Sequence, residues 1–191
     1  MNKELLSNIR FYFAQSVFNN SCHYKAYNRI EKKKRFNSRL VLWASVITII
    51  LLVLQVIGME SNCQFLLNMV SYLGLLVTAY SLVLELSNKE DLTMMMVQHK
   101  ASAEKYKTLR DEYMSLIQDV ITNTLTEEIL RKKRNKLQKK YSSIGENAPA
   151  TAYGDYKAAQ LALGLSGNSD EEFTWSKEEI NKFLPEELRI I

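Results

Sequence analysis

Two apolar segments standing back to back restrict the folding of this chain more than any other feature. Leu40 to Met59 runs twenty residues without a charged side chain, and Gln64 to Leu84 runs twenty-one. At about 1.5 Å of rise per residue, either segment as a helix covers the roughly 30 Å hydrocarbon core of a bilayer. Helices of soluble proteins are normally interrupted by charge well before that length. Only Glu60, Ser61, Asn62 and Cys63 lie between the segments, too few to carry a chain back across a membrane. The sequence therefore predicts a tight hairpin of two transmembrane helices.

The flanks orient that hairpin. Lys25, Arg29, Lys32, Lys33, Lys34, Arg35 and Arg39 precede it, Lys89 and Lys100 follow it, and the connecting loop holds neither Lys nor Arg. Short flanks rich in Lys and Arg remain in the cytoplasm, so both termini are expected there, with only the loop outside. The first apolar run is too long for the core of a cleaved signal peptide and sits behind 39 residues, so no processing is expected. A net charge of +4 is too small to argue for nucleic acid, and DNA is not an expected partner. Cys22 and Cys63 would lie on opposite sides of the bilayer, which excludes a disulfide framework. His23 and His99 show no metal-ligand spacing and read as ordinary interfacial side chains.

Taken in order, the chain reads as almost wholly helical. Proline occurs only at Pro149 and Pro185, and no glycine precedes Gly58, so nothing obliges the backbone to stop early. Leu6, Ile9, Phe13, Val17 and Phe18 recur at helical spacing, extended by Tyr24 and Tyr27. Residues 3 to 37 thus form an amphipathic helix leading into the first span. That helix packs on other cytoplasmic helices or lies in the membrane interface, which its aromatic and basic residues also suit. Beyond the hairpin, Leu92, Met95, Met96, His99, Ala103, Tyr106, Leu109, Tyr113, Leu116, Val120 and Ile121 follow steps of three and four, predicting a long helix from Ser87 or Asn88 to about Thr122. Thr124 with Glu127 reads as a capping box opening the next helix, which ends at Gly145. A short helix around Tyr153 to Leu163 follows, stopped by Gly164 and Gly167. Ser176 with Glu179 is a second capping box, and Pro185 interrupts or restarts the helix it opens. Four regions result: a cytoplasmic amphipathic helix (1–39), the hairpin (40–86), a cytoplasmic helical region (87–165), and a linker with short helices (166–191).

Polar residues inside the apolar segments form a pattern. At about 100° per residue, Asn68, Ser71, Gly74, Thr78, Ser81 and Glu85 fall within an arc of roughly 140° on the second segment. Ser45, Thr48 and Gln55 share a narrower face of the first. Lipid cannot satisfy such a stripe, so it must face protein or water. Two readings fit. The two faces meet inside one hairpin, with Gly74 and the serines allowing close approach. Alternatively, several hairpins assemble so that Asn68, Ser71, Gly74, Thr78 and Ser81 line a pore and Glu85 rings its cytoplasmic mouth. One hairpin has too little perimeter to enclose water, so a pore requires a homo-oligomer, a tetramer or larger.

The densest charge is Arg131, Lys132, Lys133, Arg134, Lys136, Lys139 and Lys140, opposite an apolar side of Leu130, Leu137, Tyr141 and Ile144. Such a run serves as a solvated face, as an attraction to anionic lipid, or as a cradle for a phosphate-bearing ligand. No glycine-rich phosphate loop, no nucleophile with a base and no paired carboxylates occur, so no enzyme activity is expected.

The order of elements resembles a known family. It comprises the basic N-terminal helix, the hairpin with a minimal outer loop, and a long helix holding Ala103-Glu104-Lys105-Tyr106-Lys107-Thr108-Leu109-Arg110. A returning helix then ends in Tyr141-Ser142-Ser143-Ile144-Gly145-Glu146-Asn147-Ala148-Pro149, followed by Asp155-Tyr156-Lys157-Ala158. Over residues 5 to 165 this is similar to the SLATT family of two-transmembrane effectors, with architecture carrying more of the match than any signature. The resemblance implies an all-α membrane protein: a two-transmembrane hairpin with an N-terminal amphipathic helix and a cytoplasmic helical bundle. It implies a membrane-disrupting, pore-forming effector of bacterial antiphage defence, encoded beside enzymes that make cyclic oligonucleotides or beside nucleotide-sensing domains. The effector oligomerises in the inner membrane. It supplies no catalytic residues. A cyclic nucleotide regulator would then contact Arg131, Lys132 and Arg134, with Tyr153 or Tyr156 stacking on a base. A membrane-anchored scaffold whose cytoplasmic helices recruit a partner protein is the competing expectation. An ordinary channel or transporter subunit ranks last, since the broken helices and inverted repeat of a transporter are missing.

Overall fold

In the computed structural model, residues 3–56, 64–165 and 175–189 are described, and all of their regular structure is helical. The elements are α1 (Lys3–Val56), α2 (Gln64–Ile121), α3 (Glu127–Asn147), α4 (Tyr153–Ala162), α5 (Lys177–Asn181) and a 3-10 turn (Glu186–Leu188). The outer loop, including Cys63, and the linker around Gly167 lie outside the described residues.

With no proline to break them, α1 and α2 run 54 and 58 residues. The expected second span and the helix after it are thus one element. Their residues divide between two compact units, Arg29–Met96 and Met1–Asn28 with Val97–Ile191. The N-terminal helix through Asn28 accordingly belongs with the later helices, and the other unit takes in the basic residues 29–39 together with the hairpin.

The larger unit is a helical bundle with a conventional core. The expected stripe Leu6, Ile9, Phe13 and Val17 is buried against Tyr106, Leu109, Tyr113, Leu116, Ile117 and Val120 of α2. Leu130 and Leu137 of α3 close the same core. Phe18 and Cys22 form a second cluster with Ala159 and Leu165. The C-terminal segment docks on this unit: Ile180 and Leu184 are buried, and Arg10 donates to Asn181 Oδ1 at 2.6 Å and the Leu188 carbonyl at 3.4 Å. Arg10 is 4% exposed, and its burial lowers the guanidinium pKa.

Two helix boundaries differ from the expected ones. The cap of α3 is Thr126, without a side-chain capping bond, rather than Thr124. Thr124 Oγ1 instead donates to the Asp119 carbonyl, in a turn where Asn123 takes a left-handed φ of 52°. Asn tolerates that region better than most residues, which moves the helix start two residues on. At the other end α3 passes through Gly145 and stops at Ala148, whose φ of -81° and ψ of 140° are extended. Pro149 excludes the helical conformation from the residue before it, and that restriction outweighs one glycine. The second capping box forms as expected, Ser176 Oγ accepting from Glu179 N and Glu179 Oε2 from Ser176 N. Pro185 caps the 3-10 turn, and Gly164, just beyond α4, takes a left-handed φ of 62°.

The Arg29–Met96 unit pairs the two long helices antiparallel: Lys34 reaches Thr93, Thr48 reaches Thr78, and Leu51 lies against Gly74. Its solvation is reversed. Leu42, Trp43, Ile47 and Ile49 on α1, and Phe65, Leu66, Tyr72, Leu76 and Tyr80 on α2, are each more than half exposed. Thr48, Ser71 and Ser81 are buried.

Candidate functional site

The seam of the apolar unit is built by small and hydroxyl side chains. Thr48 Oγ1 and Thr78 Oγ1 are 2.6 Å apart. Thr48 Oγ1 also lies 3.0 Å from the Ala44 carbonyl and 3.1 Å from the Gly74 carbonyl, and Thr78 Oγ1 lies 2.9 Å from Gly74 O. Each hydroxyl has one proton, so one threonine donates to the other, which in turn donates to a backbone carbonyl. The two helices are thereby bonded across the seam through their threonine hydroxyls. Gly74 lies against the first helix, where a Cβ would meet Leu51 Cδ1 at 3.4 Å and Thr48 Oγ1 at 3.5 Å, ordinary contact distances.

Of the six residues expected on the polar stripe, Ser71, Gly74, Thr78 and Ser81 face the first helix of the same chain, all buried or partly buried. In this single chain Thr48 and Thr78 bond each other between the two helices. Asn68 is partly buried. The side chains of Glu85 and Gln55 lie outside the described residues. Ser71 Oγ is buried without a hydrogen-bond partner among them.

Of the five residues expected to grip a nucleotide, only Arg131 and Lys132 share a concavity, one of about 690 Å³ with Lys133, Lys136 and Lys139. Arg131 forks onto Glu127 Oε1 at 2.9 and 2.6 Å. Lys132 is exposed, and Arg134 Nη1 turns to Asn8 Oδ1 at 3.2 Å. Tyr153 lies under the Lys157 ammonium, 4.8 Å from the ring centre. Tyr156 packs edge-on against Phe18 at 4.9 Å, and burial raises its pKa. The basic run does build a concave face elsewhere. Lys136, Lys139 and Lys140 of α3 face Lys105 of α2 across a groove of about 610 Å³ that also holds Thr108, Leu109, Glu112, Ser143, Ile144 and Asn147.

Where the sequence suggests interfacial histidines, the structure buries them as a pair. His23 Nδ1 and His99 Nδ1 are 3.0 Å apart, so one ring donates and the other accepts. His23 also stacks on Tyr106 at 5.7 Å. Burial and the neighbouring His99 hold His23 down to about 4, while Asp155 pulls it back slightly. Around them Asn19 donates to Tyr141 Oη at 2.9 Å and Asn20 to the Ala103 carbonyl at 2.7 Å. The sequence carries one signal of this burial: His99 occupies an apolar position of the α2 register. Cys22, next to His23, is pushed up to about 12 by burial and is a poor nucleophile at neutral pH. Among the described residues no group of three or more His, Cys, Asp or Glu could hold a metal ion.

One described helix is long and apolar enough to cross a membrane, within Lys3–Leu54, and a shorter apolar stretch covers Asn68–Val83. No curated protein and no solved structure gives a significant match to the chain. A family model does match, over residues 5–179: SMODS and SLOG-associating 2TM effector domain family 4. The match covers nearly the whole sequence, and the chain belongs to this SLATT family of two-transmembrane effector domains.

Proposed function

We propose that the protein is a non-enzymatic, pore-forming effector of bacterial antiphage defence that crosses the inner membrane twice, with both termini cytoplasmic. The observation that carries the reading is the reversed solvation of Arg29–Met96: more than twenty large apolar side chains between Leu40 and Leu86 stand exposed around a seam of hydroxyls. Water does not tolerate an apolar surface of that extent on a monomer, whereas lipid does. The buried hydroxyls cannot be offered to lipid either.

The antiparallel pair is then a sealed state. Opening requires copies to exchange the seam within one chain for contacts between chains, so that Ser71, Gly74, Thr78 and Ser81, with Asn68 and Glu85 in the same arc, come to surround water. A cyclic nucleotide bound by the charged unit is the proposed control. It can shift the equilibrium only by its difference in affinity for the sealed and open assemblies.

Reconstitution in phosphatidylethanolamine/phosphatidylglycerol vesicles tests this reading. Dye release that rises steeply with protein-to-lipid ratio is expected, together with cross-linked species of four or more chains. Replacing Ser71, Thr78 and Ser81 with leucine should abolish release without expelling the protein from the vesicles. Release that survives those replacements would reject the pore, and toxicity that persists without any release would favour a scaffold.

A further inference from the structure

The groove between α2 and α3 draws its cations from both helices, whereas the neighbouring concavity of Arg131, Lys132, Lys133, Lys136 and Lys139 is lined by α3 alone. The groove's two walls bring Lys105, Lys136, Lys139 and Lys140 around one cavity. Glu112 is its only acid, and Lys140 already neutralises it, donating to Oε1 at 2.6 Å and Oε2 at 2.8 Å. Lys105, Lys136 and Lys139 make no ion pair among the described residues. Thr108, Ser143 and Asn147 add neutral hydrogen-bonding groups along the same walls. Between them the half-buried Ile144, packed above the fully buried Leu109, supplies an apolar base.

We infer that this groove binds a nucleoside phosphate, the lysines taking the phosphate oxygens and the half-buried Ile144 taking the flat face of the nucleobase. Three unneutralised ammonium groups converging on one concavity repel each other, and an anion relieves that repulsion. Lysine suits phosphate as a point charge, and its long stem lets opposite walls close on a ligand. A purely inorganic anion would leave the apolar base unused, which is why a ligand with an aromatic portion fits better. The size agrees with sites for molecules of that class, about 300 to 1,000 Å³. The inference rests on the nucleotide control proposed above and supplies its location, away from Tyr153 and Tyr156. A phosphate bound to Lys140 competes with Glu112, so occupancy loosens a bridge between α2 and α3.

The test uses the full chain in phosphatidylcholine nanodiscs, with a fluorescent N-methylanthraniloyl-ATP as probe and inorganic pyrophosphate as competitor. Lys105→Gln with Lys139→Gln, one from each wall, should weaken the probe at least tenfold. Arg131→Gln with Lys132→Gln removes the same charge from the neighbouring concavity and should change affinity less than twofold. Ile144→Ser should weaken the probe several-fold and leave pyrophosphate unchanged. Equal losses in the two double variants would overturn the site in favour of diffuse attraction. Binding only to nanodiscs containing phosphatidylglycerol, with no response to the soluble probe, would overturn it in favour of lipid headgroups. Dye release is read separately: binding that passes these tests without altering release rejects nucleotide control and leaves the site standing, whereas release that follows ATP in the Lys105/Lys139 variant as in the wild type rejects the site alone.

Discussion

Phe13 and Leu76 are both large apolar side chains on long helices, yet the first is fully buried and the second is 67% exposed. The same inversion holds for the polar residues. Lys132 stands in solvent on the charged unit, while Thr48 and Ser71 of the apolar unit are buried. What differs is the solvent each surface suits. In water the driving force hides hydrocarbon, and the core of Ile9, Phe13, Tyr113 and Ile117 results. In lipid no such force acts between helices, so close packing of small residues and hydrogen bonds between them must hold the pair instead. Gly74 and the Thr48–Thr78 contact are that alternative.

The most direct way to break the comparison is to put charge on both surfaces. Ile50 and Leu76 are 53% and 67% exposed in the apolar unit, and Leu161 is 82% exposed in the other. Arginine near the centre of a membrane helix costs about 2.5–3.5 kcal/mol, so Ile50→Arg with Leu76→Arg should cost roughly 5 kcal/mol or more. Leu161→Arg should stay within about 0.5 kcal/mol, as for ordinary surface changes. Carbonate-resistant membrane association checks both, and retention of the double variant would mean the exposed face does not meet lipid. One step smaller, Phe13→Ala in the charged unit should lose about 3–5 kcal/mol through its cavity, read as a lowered thermal midpoint in detergent with membrane association unchanged.

Much of this division is legible in the sequence. Charge-free runs announce the apolar unit, and the three-four spacing of Leu6, Ile9 and Phe13 announces the face that is buried. The helix ends are harder, because Thr124 and Gly145 are local signals that lose to Asn123, which admits a left-handed turn, and to Pro149, which disfavours helix in the residue before it. Site residues are hardest. Helical period tells which residues share a face of one helix, but not which helix faces it. Hence nothing in the register joins Lys105 to Lys136, or brings together two histidines 76 positions apart. For the polar stripe the period leaves two partners open, and the contact of Gly74 with Thr48 and Leu51 supplies the one used within this chain.

The buried histidines sharpen the contrast through pH, since they belong to the charged unit only. His23 is held at about 4 from an ordinary 6.5, so the folded state favours its neutral form. For a base with a lowered folded pKa, stability is complete above the unfolded value near 6.5. It is lost as pH falls from there toward 4. The loss should approach about 3 kcal/mol, since each tenfold change in proton affinity between the two states is worth about 1.4 kcal/mol. Denaturant unfolding of the charged unit between pH 7 and 4 measures it. His23→Gln with His99→Gln should flatten that slope, and a wild-type slope in the double variant would assign the loss to carboxylates such as Asp155 instead.

The smallest expected effect is the one most specific to the apolar unit. Thr48 and Thr78 bond each other and the backbone across the seam, so Thr78→Val removes a hydroxyl while keeping the branched shape. In water-soluble cores, stranding a buried polar partner costs about 1–3 kcal/mol. Within a membrane the separated helices also find partners for their hydroxyls, and measured couplings between such groups average about 0.6 kcal/mol. A double-mutant cycle of Thr48→Val and Thr78→Val, followed by steric-trap dissociation in bicelles, should therefore give a coupling near about 0.6 kcal/mol. A coupling above about 2 kcal/mol would mean the seam excludes alternatives as a water-soluble core does, and opening by exchange between chains would then be too costly. A modest value is what an assembly needs if it is to trade contacts within one chain for contacts between chains.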